Sequence, residues 1–100
     1  MGTLIYGNDV ARVPVEDRLL LHLQVVIFAK LRRQESFSFS WTDEPGTGDG
    51  HGAVWMSPNV PVYFKYSGGR DAKIDRDWID ALMSAANSPQ GLRPLPPPEA

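Results

Sequence analysis

The chain reads as a two-layer α+β domain, in which a mainly antiparallel sheet carries one long and one shorter helix on one face. Three observations predict it. Glu16 to Arg33 is a stretch free of Gly and Pro with helical periodicity, and Asp75 to Asn87 is a second, shorter one. The remaining apolar segments are short, and several alternate with period two. They follow one another through turn chemistry, so neighbouring strands should pair as hairpins, with the helices gathered on one face.

Thr3 to Tyr6 opens as a strand, Gly7-Asn8-Asp9 supplies the turn, and Val10 to Val13 returns, with Pro14 expected to end the extended segment. The long helix follows over Glu16 to Arg33. Glu16 and Asp17 sit at its start and Lys30, Arg32 and Arg33 at its end, the arrangement that the helix dipole favours. Leu20, Leu23, Ile27 and Leu31 form its apolar stripe, widened by Leu19 and Val26, while Leu21, Val25 and Phe28 make a second apolar flank. Arg18, His22, Ala29 and Arg33 share the remaining face.

Ser36 to Trp41 (SFSFSW) alternates strictly and predicts a half-buried strand with Phe37, Phe39 and Trp41 inward. Asp43 to Gly52 is a Gly-rich connection, and Ala53 to Met56 is the next strand. Ser57-Pro58-Asn59 turns the chain into a strand over Val60 to Tyr66, with Val60, Val62, Phe64 and Tyr66 on one side. Gly68-Gly69 breaks that strand, and Asp75 caps a helix from Arg76 to about Asn87. Ile74 and Ile79 occupy hydrophobic-staple positions, and Trp78, Leu82 and Ala85 form the buried stripe. Gly91 to Pro94 predicts a short edge strand. Residues 1–93 thus form a single domain, with residues 94–100 as a Pro-rich tail.

Composition narrows the chemistry. One hundred residues, 42% of them hydrophobic, suffice for one core without metals or crosslinks. The chain has no cysteine, which excludes disulfides, thiolate zinc sites and a Cys nucleophile, and is compatible with a reducing cytoplasm. The first residues lack the basic and apolar regions of a signal peptide, and Leu19 to Leu31 is too short to span a bilayer. A cytoplasmic location is the expectation. The net charge of −2 gives no global attraction to nucleic acid, so a phosphate partner would need a local basic patch.

Three segments could carry chemistry. Lys65-Tyr66-Ser67-Gly68-Gly69-Arg70 approaches the Lys-x-Asp-Gly-x-Arg pattern of covalent nucleotidyltransferases, in which the lysine attacks the α-phosphate of ATP and the arginine contacts the nucleotide. Lys65, Ser67 and Arg70 are therefore nucleotide-binding candidates, with ATP and magnesium as cofactors under that reading alone. Ser67 stands where the pattern has Asp, and only thirty residues follow Arg70, too few for the downstream metal-binding carboxylates and lysines of such enzymes. The plainer reading makes Lys65 an outward strand residue and Gly68-Gly69 a turn. Second, Arg18, His22, Arg32 and Arg33, with Lys30 nearby, could meet phosphate groups; the plainer reading is a solvated helix face. Third, the glycines and acids of Asp43 to Gly52 could cradle a cation, but in neither EF-hand nor P-loop order. The histidines, His22 and His51, belong to no triad or metal-ligand spacing, so no catalytic or metal residue is assigned.

The blocks MGTLIYG, DRLLLHLQVVIFAKLRRQESFSFSW, KYSGGR, WIDALMSAANS and GLR cover most of the chain. On them it resembles a family of small actinobacterial proteins of unassigned function, about one hundred residues long. Its members often carry an automatic label of ATP-dependent DNA ligase. The resemblance implies a shared fold and says little about activity. The expectation is a non-catalytic binding or accessory module with no cofactor, contacting protein or nucleic acid through the Arg18/His22/Arg33 face or a sheet face. A ligase-related protein using Lys65 is the alternative. The wide apolar girth of the long helix also leaves self-association open.

Overall fold

The computed structural model describes residues 1–42, 51–68 and 73–98. Within them the order is β1 (Gly2–Tyr6), β2 (Ala11–Val15), α1 (Asp17–Arg32), β3 (Phe37–Thr42), β4 (His51–Met56), β5 (Val62–Lys65) and α2 (Arg76–Ala86). The class is α+β, and every strand ladder is antiparallel.

The strands divide between two sheets. One is three-stranded in the order β2-β1-β5, and the other pairs β3 with β4. Both edges of β1 are occupied, by β2 and by β5. The return strand starts at Ala11 and runs through Pro14 to Val15, instead of stopping before the proline. Pro14 is tolerated because β2 lies at the sheet edge, and a residue without an N–H offers that edge no donor for a further strand. A side chain joins the sheets in place of a ladder. The Tyr6 hydroxyl donates to the Trp55 carbonyl (2.9 Å) and accepts from the Ser57 N–H (2.9 Å).

Alternation sorts the strand residues as the pattern predicts. Leu4, Tyr6, Val13 and Val15 face inward from the larger sheet, and Phe37, Phe39 and Met56 from the smaller one. Against them α1 buries Leu20, Leu23, Val26 and Ile27. The Glu16 carboxylate caps this helix, accepting from the N–H groups of Arg18 (3.3 Å) and Leu19 (3.1 Å). Of the second flank, Leu21 is half-buried, Val25 and Phe28 stay exposed, and the Phe28 ring meets Phe64 edge-on at 5.2 Å.

Asp75 caps α2 as predicted, accepting from Asp77 N–H (3.0 Å) and Trp78 N–H (3.3 Å). The buried stripe is Trp78, Leu82 and Ala86; the last member falls one residue beyond the expected Ala85. Ile74, expected to staple this helix, is half-exposed. After α2 the chain returns beside β3. Leu92 forms a parallel bridge to Phe39, and the Trp78 indole N–H donates to the Leu95 carbonyl (3.0 Å), so packing contacts extend through Leu95. No helix among the described residues is long and apolar enough to cross a membrane.

Candidate binding surfaces

Lys65 is the last residue of β5 and is exposed, on the outward side with Tyr63. Ser67 points elsewhere. Its hydroxyl approaches the Asp17 carboxylate at 3.2 and 3.4 Å, its N–H donates to Asp17 Oδ1 (3.3 Å), and the Gly68 N–H donates to Oδ2 (3.0 Å). The Met1 ammonium adds a bond to Ser67 Oγ (2.8 Å). Desolvation alone would raise the Asp17 pKa, but the bonds from Ser67 and Gly68 outweigh it and hold the carboxyl below the ordinary aspartate range. The first residue of α1 thus brings a carboxylate to the position where the nucleotidyltransferase pattern lacks one. Its oxygens are engaged by the chain itself, anchoring the segment after β5 to α1. Beside it the Tyr66 hydroxyl donates to Gln24 Oε1 (2.5 Å), and its pKa is raised by desolvation and then by the Asp17 charge. Arg70 lies outside the described residues, as does the acidic Gly-rich segment from Asp43 to Gly50. His51 and Gly52, read as the end of that connection, begin β4.

The basic helix face does not assemble. His22 is fully buried between the helices, its ring 4.3 Å from the Trp78 ring. Nε2 accepts from the Asp75 N–H (2.9 Å), which leaves the ring proton on Nδ1 to donate to the Arg18 carbonyl (2.8 Å). His22, a candidate for the basic face, is therefore a core residue, covered because α2 docks on this side of α1. Periodicity within a single helix cannot show that. Lys30 is buried as well, paired with Glu35 (2.8 Å) and bonded to Asn87 at the end of α2. Hydrogen bonding from Lys30 is the main cause of the lowered Glu35 pKa. Arg18 lies over the Trp78 ring at 5.2 Å, and Arg33 pairs with Glu35 (3.6 Å). Arg18 and Arg32 are fourteen residues apart on one helix, a span of roughly 21 Å, so they do not converge on one phosphate.

The outer face of the three-stranded sheet was visible in the sequence only as the polar phase of alternation. Helix α1 packs against the other side of this sheet, and the registers build two rows across the strands. Tyr63, Ile5 and Arg12 form one, and Lys65, Thr3 and Pro14 the next. Tyr63 is 59% exposed, in the edge strand beside Ile5. Arg12 extends from the far strand and pairs with Asp9 at 2.6 Å. An aromatic ring and two cations therefore lie on the same exposed face.

A family model matches residues 1–97, a span that holds both helices and all five strands of the described residues and every residue of this face. The chain belongs to the family Domain of unknown function (DUF7882). The two-sheet architecture is thus that of a DUF7882 domain over nearly its whole length. No curated protein and no solved structure matches the chain.

A cleft of the DUF7882 domain lies at the end of the smaller sheet. Its volume is about 390 Å³, and among the described residues Ser40, Trp41, Thr42, His51, Arg93 and Pro94 line it. Lys65 and Ser67 are not in its lining. Among the described residues, no group of three or more His, Asp or Glu side chains is placed to hold a metal ion.

Proposed function

We propose that this domain is a non-catalytic binding module that presents the open face of its three-stranded sheet to single-stranded nucleic acid. The observation that carries the reading is Tyr63, an aromatic ring 59% exposed on a sheet face that also holds Lys65 and Arg12. Aromatic rings on sheets act as stacking platforms for unpaired bases, and every base has a face that can stack. Lys65 lies two residues along the same strand on the same side, where it can meet the backbone phosphate next to a stacked base. The net charge of −2 offers no long-range attraction, so affinity rests on these local contacts.

Fluorescence anisotropy with a labelled single-stranded oligonucleotide tests this. With two cations engaged, the logarithm of affinity should fall against the logarithm of salt with a slope of about −1.4. Tyr63→Ala should remove about 1–3 kcal/mol of binding, and Lys65→Ala should flatten the salt slope. An oligonucleotide that binds the Tyr63→Ala protein as tightly as the parent, or does not bind the parent at all, defeats the proposal. Loss of binding in an Arg32→Ala/Arg33→Ala protein alone would move the interface to the helix end.

A ligase-related reading, with Lys65 as nucleophile and ATP and magnesium as cofactors, stands second. What favours it is the Asp17 carboxylate at 3.2 Å from Ser67 Oγ. It ranks second because that carboxylate is engaged by Ser67 and Gly68. Intact mass after incubation with ATP and magnesium separates the two readings, since an AMP adduct at Lys65 would displace the binding-module proposal.

A further inference from the structure

We infer that the outer edge of β5 is a self-association site, where a second copy of this chain adds its own β5 antiparallel to the first, with Phe64 opposite Phe64 across a two-fold axis. The inference starts from the unequal edges of the larger sheet, whose outer strands among the described residues are β2 and β5. The Gly7 N–H donates to the Pro61 carbonyl (2.8 Å). Bonding residues alternate along an antiparallel ladder, so Pro61, Tyr63 and Lys65 turn their backbone groups toward β1, while Val62, Phe64 and Tyr66 turn theirs to the outer edge. By the same phase Thr3 bonds toward β5, and its other neighbour, Pro14, has its ring nitrogen on the outer edge of β2. That edge lacks a donor and carries Arg12, two devices that discourage a further strand. The β5 edge has neither: Val62–Lys65 holds no proline, and Val, Tyr and Phe all favour strands.

An apolar flank lies beside this edge on the helix side of the sheet. Phe28 meets Phe64 edge-on at 5.2 Å, and Phe28 and Val25 of α1 are 42% and 38% exposed. Tyr66 reaches Gln24 on the same side. Gly68 and Asp75 bond to Asp17 and His22 near the start of α1, away from the Phe28 contact in its second half.

The strand is complementary to itself in one register. A two-fold axis normal to the sheet keeps inner face beside inner face, so only residues on the same side can stand opposite each other. Lys65 opposite Lys65 would set like charges together. Val62 opposite Val62 would carry Phe64 past the start of the other β5. Tyr63 opposite Tyr63 would engage the edge groups of Val62 and Phe64 alone. Phe64 opposite Phe64 engages Val62, Phe64 and Tyr66 of both strands, and it places each Lys65 opposite Tyr63 of the second copy, a cation beside an aromatic ring. On the inner face the two α1 helices then run antiparallel, and the Val25 and Phe28 flank of one covers that of the other. Two Tyr63–Lys65 pairs share the outer face, and the inference does not depend on what that face binds.

A short edge gives a weak dimer, so the test is sedimentation of the full chain from roughly 10 μM to 1 mM without nucleic acid. The dimer fraction should rise across that range, and amide exchange at Val62 and Phe64 should slow several-fold with it, while Tyr63 and Lys65, already bonded to β1, should not respond. Val25→Lys should hold the chain monomeric; the Trp78 indole resonance, which reports the bond to Leu95, checks that this protein keeps its fold. Disulfide formation reads the register directly, because the chain has no cysteine of its own. Tyr63→Cys protein mixed with Lys65→Cys protein should crosslink, since opposed residues of such a pair stand about 4.5 Å apart at Cα. Tyr63→Cys protein alone should not, since those positions stand roughly 8 Å apart, beyond disulfide reach. A monomer at every concentration, even one that binds an extended peptide along β5, overturns the inference. Dimerisation of a folded Val25→Lys protein as strong as the parent's, or crosslinking of Tyr63→Cys protein alone as fast as the mixture, does so too.

Discussion

Asp17 shows how one residue serves several ends. As the first residue of α1 it suits the positive end of the helix dipole, and its carboxylate also collects the donors of Ser67 and Gly68. The neighbouring Gly2 permits this, since a Cβ there would lie 2.5 Å from the Lys65 carbonyl and 2.7 Å from Asp17 Oδ1. The lowered Asp17 pKa has a definite consequence for stability. The folded state holds the carboxylate charged more strongly than the unfolded state does. The contribution is therefore complete above the unfolded value and is lost as pH falls through the lower folded value. Asp17→Asn should reduce stability at neutral pH and leave a shallower decline on the acid side. Urea midpoints measured across that range check this, and parallel acid limbs in the two proteins would contradict it.

At the scale of elements, the decisive contact is α1 against α2. The His22 imidazole accepts from the first backbone N–H ahead of α2 and returns its own proton to α1 at Arg18. Trp78 covers the ring, Arg18 covers Trp78, and Lys30 reaches Asn87 at the far end of α2. The helices are therefore joined at both ends by polar groups and in the middle by Leu23, Leu82 and their neighbours. His22→Ala removes a buried ring and leaves the Asp75 N–H and the Arg18 carbonyl without that partner. The cost should be about 2–4 kcal/mol, combining a cavity with unpaired polar groups. Chemical denaturation measures it, and a change within about 0.5 kcal/mol, the range of ordinary surface substitutions, would refute the role given to this ring.

At the scale of the whole molecule, two sheets share one core, and Tyr6 is where they meet. Its ring is buried among the core residues, while its hydroxyl satisfies one carbonyl and one N–H at the end of β4. Unfolding of the two sheets should therefore coincide. Far-ultraviolet circular dichroism and tryptophan fluorescence, the latter reporting Trp41, Trp55 and Trp78, should give one urea midpoint. Tyr6→Phe should lower that midpoint by about 1–3 kcal/mol equivalent with little change of slope. Separate midpoints in the parent protein would show that the sheets are independent units.

Much of this architecture was legible along the chain, because it depends on local periodicity. The SFSFSW alternation, the Gly-free run of α1 and the Asp75 cap each follow from the geometry of a single element. Motif spacing also singled out Lys65 and Ser67, but could not show that Ser67 faces Asp17 from fifty residues away. The division into two sheets, the burial of His22 and the placing of Arg93 beside Ser40 depended on tertiary structure alone. Each is set by which elements dock on which, a choice made by the combined burial of many side chains distant in sequence. Period and propensity determine the face a residue occupies on its own helix or strand; only the assembled core determines whether that face meets water or another element.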